Sequence, residues 1–251
     1  MVAKLYSWDD AGAPVMSGSN DASLLSIIRA CLVDGYGTRT SAGWTMPYDD
    51  LINQKAVFKV AGGGTWHFWI DDNYSYQYAH IKGYADMTGV DTGTGLFPTT
   101  DQLQSASYKL ACSKRYSTAA GYDEWHLIAD DEWFYFISHN PTHTYPGGVF
   151  FGVIDHVDPA HSGRCLITGH STTSTVPVSN FPYTIWRDDG YWIMSDDYYQ
   201  TSTPERIKEH YDNLAWANPN PISGKLEFYQ REIGRFVTPY VRLGRRPNLY
   251  H

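Results

Sequence analysis

Histidines are concentrated in one part of this sequence, where they could supply metal ligands. Five of the ten histidines lie within residues 139–170, at His139, His143, His156, His161 and His170. Imidazole, with or without a carboxylate, is a common ligand for Zn²⁺. Pro141 would break any helix that placed His139 and His143 on one face, and no HExxH pattern occurs. His139, His143, His156 and His161 are therefore the metal candidates, but we expect a chain without a resident metal or cofactor.

Two other patterns contain residues that could catalyse hydrolysis. The stretch GHST at 169–172 places His170 beside Ser171, but it lacks the G-x-S-x-G turn that presents a nucleophilic serine. Asp-Asp pairs recur along the chain and could supply the two carboxylates of a glycosidase. Most of these pairs fall at predicted strand ends, where Asp commonly forms turns. We therefore predict a protein that is not an enzyme, and a metal-dependent hydrolase using the His139–His170 region is the last alternative.

The stretch VDTGTGLFPTTDQ at 90–102 has the glycines and threonines of a nucleotide-binding loop. Such a loop needs a strand before it and a helix after it, so that backbone N–H groups converge on the phosphate. Here no Gly-Lys-Ser/Thr and no amphipathic helix follow, and Asp91 would repel an anion. The stretch is interpreted as a connector whose glycines permit tight backbone geometry.

Aromatic clusters could bind sugars or could fill a core. They occur as WHFW at 66–69, EWFYF at 132–136 and YWIMSDDYY at 191–199. Coplanar exposed rings would stack on a host glycan, whereas alternation along a strand places one aromatic face in the core. Core packing is the favoured interpretation, with some Tyr and Trp left for subunit interfaces, where these residues are enriched.

Charge limits the classes of partner. The net charge of −8, with 18% charged residues, is not that of a general nucleic-acid binder. Residues 225–251 carry six Lys/Arg against two Glu, so this segment is +4 and the preceding 224 residues carry −12. A basic tail behind an acidic body fits head-to-tail subunit contacts, or it is simply a solvated end. The three cysteines are widely separated, which predicts reduced thiols. The sequence has no signal core and no apolar run long enough for a membrane span, which predicts synthesis in a cytoplasm.

The hydrophobic pattern predicts two helices. SNDASLLSIIRACLVDGYG at 19–37 offers Ser19, Asn20 or Asp21 as the N-cap, an apolar stripe, and Gly35 as the end of the helix. A second, short helix near 204–216 would begin at Pro204 after a Thr203 cap.

Between and after these helices the pattern is that of short strands. KAVFKV at 55–60 and TWHFWID at 65–71 are joined by three glycines, and further strands follow at 76–84, 108–114, 125–131, 132–138, 148–157, 164–169, 183–187 and 191–195. KLEFYQ, IGRFV and YVRLG complete the set, and no βαβ alternation occurs. The predicted fold is mainly β, with antiparallel sandwich- or barrel-like sheets. A composition shift at 140–148 divides it into an N-terminal region, 1–140, and a β-rich C-terminal region, 148–251, unless that shift is a loop within a single domain.

Several stretches resemble a family of virion structural proteins of tailed bacteriophages. They are KLYSWDDAGAPVMSG at 4–18, CLVDGYGTRTSAGW at 31–44, VDTGTGLFP at 90–98, FFGVIDHVDPAH at 150–161 and the C-terminal YVRLGRRPNLYH. The resemblance spans nearly the whole chain, and it implies a tail-associated place in a virion without implying any catalytic residue.

These observations lead to one functional hypothesis and an alternative. The chain is expected to be a non-enzymatic virion component of the tail or baseplate, made in the host bacterial cytoplasm and assembled as a homo-oligomer with other virion proteins. The expected assembly contacts are Trp8, Asp9, Asp10, Arg242, Arg245, Arg246 and Tyr250. No nucleic acid or membrane is expected as a partner. The alternative is a host-glycan-binding module on the virion surface.

Overall fold

The computed structural model of this chain is mainly β, and its strands pair antiparallel. It describes residues 2–16, 23–62, 64–73, 78–100, 109–114, 124–139, 147–154, 164–172, 183–187 and 192–194. The predictions of a mainly β, antiparallel fold with an N-terminal helix are confirmed. The second helix near 204–216 and the strands predicted after residue 224 lie outside the described residues.

Fourteen strands are found in the described part of the chain. The first seven are β1 (Lys4–Ser7), β2 (Thr45–Asp50), β3 (Lys55–Lys59), β4 (His67–Asp71), β5 (Tyr78–Tyr84), β6 (Asp86–Gly89) and β7 (Thr92–Thr94). The others are β8 (Lys109–Ser113), β9 (Glu124–Ala129), β10 (Trp133–His139), β11 (Gly147–Ile154), β12 (Arg164–Thr172), β13 (Tyr183–Arg187) and β14 (Trp192–Met194).

Helix α1 (Ser23–Arg29) continues into one π-helical turn, Ala30–Asp34. Gly35 ends it with a φ of +79°, a conformation that glycine adopts without steric cost, and its N–H bonds the Ala30 carbonyl at 2.7 Å. The apolar stripe of the helix is buried: Leu24, Leu25, Ile27, Ile28, Cys31 and Leu32. The sequence pattern therefore predicted both the buried face and the end of this helix.

Twelve of the described strands form one sheet. Its order is β1-β9-β10-β11-β12-β8-β5-β4-β3-β2, with β13 on the second edge of β12 and β14 beside β13. Strand β12 joins three parts of the sheet. One of its edges pairs with β11 and, further along, with β8, and its other edge pairs with β13. Strands β6 and β7 form a separate two-stranded hairpin.

The main core lies where strands from opposite ends of the sheet order face each other. Phe68 of β4 has its ring centroid 5.0 Å from that of Phe134 on β10 and 5.2 Å from that of Phe151 on β11. Trp44 contacts the same two rings at 5.7 and 6.1 Å. All of these side chains are buried, together with the apolar face of α1. The aromatic residues of β4 and β10 therefore serve mainly as core, as the alternation predicted.

Three features differ from the sequence-based expectations or extend them. Strands β1 and β2 were not predicted, because both are short and carry polar residues. The connector predicted at 90–102 contains β7, whose pairing with β6 makes it part of a hairpin. At the proposed boundary near 140–148, β10 pairs with β11 in one sheet. That pairing agrees with a loop inside a domain, while the division into regions 1–140 and 148–251 stays a prediction.

Candidate assembly surface

Strand β1 forms one end of the large sheet. Among the described residues it pairs with β9 alone, with Leu5 opposite Ile128 and Ser7 opposite His126. The Trp8 N–H donates to the Trp125 carbonyl at 3.0 Å. Because the pattern alternates along a strand, Lys4, Tyr6 and Trp8 direct their backbone N–H and C=O groups toward β9. Leu5 and Ser7 therefore direct their N–H and C=O groups away from β9. This gives the sheet an edge that another strand could pair with.

The edge is closed at Ser7 by side chains of its own chain. Asp10 Oδ2 accepts the Ser7 N–H at 3.0 Å, and it also accepts the Tyr36 hydroxyl at 2.9 Å and Arg39 Nε at 3.0 Å. The hydrogen bond from Arg39 is the largest effect lowering the pKa of Asp10, and the bonds from Ser7 and Tyr36 act in the same direction. Asp10, predicted as an assembly contact, thus has an intramolecular role in fixing the turn after β1.

Ser7, Asp9 and His126 lie together but do not form a catalytic triad. The Ser7 hydroxyl is hydrogen-bonded to the Asp9 carboxylate and lies 3.1 Å from His126 Nδ1. In a triad the carboxylate holds the imidazole and the imidazole activates the serine. Here the hydroxyl stands between the two other groups, so the carboxylate does not orient the histidine. The arrangement fixes the backbone at the end of β1.

Exposed apolar side chains are concentrated in the stretch of sequence that contains β1. Six large hydrophobic side chains are exposed among the described residues, and four of them lie within residues 2–15: Val2, Leu5, Trp8 and Val15, at 84, 52, 40 and 54% exposure. We call these four residues the N-terminal apolar segment. The other two are Leu51 and Ile52, in the turn between β2 and β3. Clustered exposed apolar groups are typical of protein interaction sites.

The outer face of the sheet continues the apolar character of Leu5. Leu5 lies opposite Ile128, Ile128 opposite Tyr135, and Tyr135 opposite Phe150. Ile128 and Tyr135 are partly buried, and Phe150 is buried. A row of aliphatic and aromatic side chains thus crosses four strands and ends at the exposed Leu5. Such a row suits packing against another subunit, since aromatic and aliphatic groups form the centres of interfaces.

The predicted contact and metal residues are only partly described. Trp8 and Asp9 are exposed, as an assembly contact requires. Arg242, Arg245, Arg246 and Tyr250 lie outside the described residues, as do His143, His156 and His161. His139 ends β10 opposite Glu124. The described part of the chain holds no group of three or more His, Cys, Asp or Glu side chains placed to bind a metal ion.

The three cysteines form no disulfide and are buried, as predicted. Burial raises the pKa of the Cys31 and Cys112 thiols, so neither has the thiolate character that a reactive cysteine needs. Within the described residues, no helix has both the length and the apolar character needed to cross a bilayer.

The sequence pattern does not indicate that Val2, Leu5 and Val15 are surface residues, nor that Tyr36 and Arg39 are partners of Asp10. An isolated Val or Leu carries no sequence signal of exposure, and the partners of Asp10 are 26 and 29 residues away along the chain. Comparison with protein-family models, with curated proteins and with solved structures gives no match.

Proposed function

We propose that this chain is a non-enzymatic structural component of a tailed-phage virion, in the tail or baseplate, that assembles through symmetric subunit contacts. The observation that carries the proposal is the concentration of exposed apolar side chains in the N-terminal apolar segment, beside the edge of β1. A subunit with a large aromatic core and an apolar edge suits a repeated building block. The resemblance of the sequence to virion structural proteins supports the same assignment.

In this proposal the described sheet is a sandwich- or barrel-like body and β1 is one contact region. Trp8 would be an anchor of the contact, because partly exposed tryptophans dominate the energetics of many interfaces. Leu5 would contribute both its side chain and its main chain, since no described residue hydrogen-bonds its N–H or C=O. The other contact would be the basic tail, through Arg242, Arg245, Arg246 and Tyr250, on an acidic neighbouring body.

The proposal is tested first by quantitative mass spectrometry of purified virions, scaled to the major capsid protein. We expect a small copy number that is a multiple of three or six, as closed symmetric tail structures require. Hundreds of copies would contradict the tail assignment and indicate the capsid surface. Absence of the chain from the particle would overturn the structural role.

The contact region is tested by substitution at two exposed apolar sites, one inside the N-terminal apolar segment and one outside it. Trp8→Ala is expected to reduce incorporation into virions by at least about tenfold, the typical cost of truncating an interface anchor. Ile52→Ala is the matched control, because Ile52 is 93% exposed but lies in the turn between β2 and β3. Equal incorporation of the two variants would show that the N-terminal apolar segment is not the contact.

A further inference from the structure

The second candidate site lies on the outer face of β3, β4 and β5, away from the assembly surface. Trp69 is packed there with Val57, Tyr84 and Met87, and only 5% of it is exposed. Lys82 lies opposite Trp69 in the β4–β5 register, and its Nζ is 4.4 Å from the centroid of the indole ring. An ammonium group at this distance over a tryptophan makes a cation–π contact.

Lys82 has no carboxylate partner among the described residues, unlike its neighbour Lys55. Lys55 Nζ is 5.9 Å from the same indole centroid and binds Asp91 at 2.9 Å. No described Asp or Glu oxygen lies within 4.0 Å of Lys82 Nζ. A partly buried ammonium group without an ion pair is unusual, because removing a charge from water is costly.

A second lysine, Lys109, increases the cost of burying the Lys82 ammonium group. The β5–β8 register ends with His80 opposite Ala111, and Lys109 begins β8 two residues before Ala111. Lys82 and Lys109 thus belong to adjacent strands, and the positive charge of Lys109 acts unfavourably on the Lys82 ammonium group. Burial lowers the pKa of Lys82, and the charges of Lys109 and Lys55 lower it further, while Asp91 and Asp71 act in the opposite direction.

Trp69 supplies an independent observation. Its Nε1 atom is buried and has no hydrogen-bond partner in the described part of the chain. A buried indole N–H is normally hydrogen-bonded, because an unsatisfied buried donor is unfavourable. The same small region thus contains an unsatisfied N–H donor and an ammonium group without an anion.

We propose that Lys82, Lys109 and the indole N–H of Trp69 form a binding site for an oxyanion, of the carboxylate or phosphate type that acidic polysaccharides carry. An oxyanion would pair with Lys82, separate the positive charges of Lys82 and Lys109, and accept the free indole N–H. Charge-assisted hydrogen bonds of this kind are among the strongest in proteins. The site is independent of the assembly surface, so the two proposals can fail separately.

The test uses the full ¹⁵N-labelled chain and follows the indole N–H signal of Trp69, assigned with a Trp69→Phe variant. Inorganic phosphate and D-glucuronate are titrated separately, with D-glucose as the neutral sugar and sodium chloride at matched ionic strength. We expect one or both anions to shift the Trp69 signal in a saturable manner, which also shows the preferred anion. The same shift with glucose or chloride, or no shift with either anion, would overturn the proposal.

Substitutions separate binding from folding. Lys82→Gln is expected to weaken anion binding by about tenfold or more, because it removes a direct charge contact. Lys59→Gln on β3 is the matched control and should leave the affinity within about twofold, because Lys59 lies opposite His67 and would make no direct charge-assisted hydrogen bond to the anion. If Lys82→Gln disturbs the fold, Lys109→Gln provides the same comparison. Unchanged affinity in a folded Lys82→Gln or Lys109→Gln variant would contradict the proposed site.

Discussion

Lys114 Nζ lies 2.6 Å from Asp72 Oδ1, and both side chains are completely buried. Lys114 Nζ also donates to the Asp72 carbonyl at 3.1 Å, and Asp72 Oδ2 accepts the Leu25 N–H at 3.0 Å. The pair therefore joins the end of β4, the end of β8 and the first turn of α1. Burial raises the pKa of Asp72, and the Lys114 ammonium and the backbone N–H groups oppose that shift.

Replacement of Lys114 by methionine should strongly destabilise the fold. The substitution keeps an apolar chain of similar length but leaves the Asp72 carboxylate buried without its counter-ion. Removal of one partner of a buried pair typically costs about 3–5 kcal/mol in unfolding free energy. Urea denaturation followed by tryptophan fluorescence measures the change.

A matched pair of variants controls for the loss of a lysine. Lys59→Met removes a partly buried lysine that makes no ion pair among the described residues, and it should change stability by no more than about 0.5 kcal/mol. The double variant Asp72→Leu/Lys114→Met should be more stable than Lys114→Met alone, because it removes both charges. A cost below about 1 kcal/mol for Lys114→Met would show that the pair is not a main stabilising element.

Gly83→Ala should destabilise the core through one specific contact. Gly83 and Phe97 exchange backbone hydrogen bonds at 2.8 and 2.9 Å, and a Cβ on Gly83 would overlap the Phe97 ring. That ring is fully buried beside Trp66 and Phe151, so it has little room to move. We expect a loss of about 1–3 kcal/mol, the usual cost of overpacking, in the same denaturation assay.

A double-mutant cycle distinguishes this overlap from a general effect of alanine in a strand. Phe97→Leu shortens the side chain that Gly83→Ala would strike, so the two costs should not add, with a coupling of about 0.5–3 kcal/mol. Gly89→Ala is the control, because its added Cβ would meet the Thr92 Cβ at 3.8 Å, an ordinary contact distance. Additive costs at Gly83 and Phe97 would refute the steric explanation.

The sequence predicted local features of the fold better than long-range ones. The apolar stripe of α1 and the alternation of β10 are local, and both correctly indicated which side chains are buried. The Asp72–Lys114 pair joins residues 42 positions apart, and the charge of Lys109 acts on Lys82 only because β8 pairs with β5. No local pattern specifies either contact. Exposure of Leu5 likewise depends on β1 being at the end of the sheet, which is a property of the whole strand order.

Asp10 should make stability depend on pH in the acidic range. Its folded-state pKa is lowered, chiefly by the hydrogen bond from Arg39, so its contribution is present above the unfolded pKa of about 3.9 and is lost as the pH falls through the folded value. Asp10→Asn should therefore lower the free energy of unfolding by about 1 kcal/mol at pH 7, as expected for a partly exposed ion pair. The cost should vanish as the pH falls well below 4.

Unfolding curves of wild type and Asp10→Asn between pH 7 and pH 3 measure this dependence. Asp49→Asn is the control, because Asp49 is exposed on β2 and its carboxylate takes part in no hydrogen bond or ion pair among the described residues. A difference between wild type and Asp10→Asn that stays constant over the range would show that the carboxylate charge is not responsible.

Deletion of residues 244–251 should abolish incorporation into virions while leaving the fold intact. The deletion removes Arg245, Arg246 and Tyr250, which the assembly proposal assigns to contacts with an acidic neighbour. Particle-associated chain is measured by mass spectrometry, and thermal unfolding of the purified variant tests the fold. A full-length variant in which Arg242, Arg245 and Arg246 are replaced by lysine keeps the positive charge of the tail. It should retain incorporation, because long-range attraction depends on charge. Replacement of the same three residues by glutamine removes the charge and should not retain incorporation. Normal incorporation of the truncated chain would remove the basic tail from the assembly proposal and leave the N-terminal apolar segment as its basis.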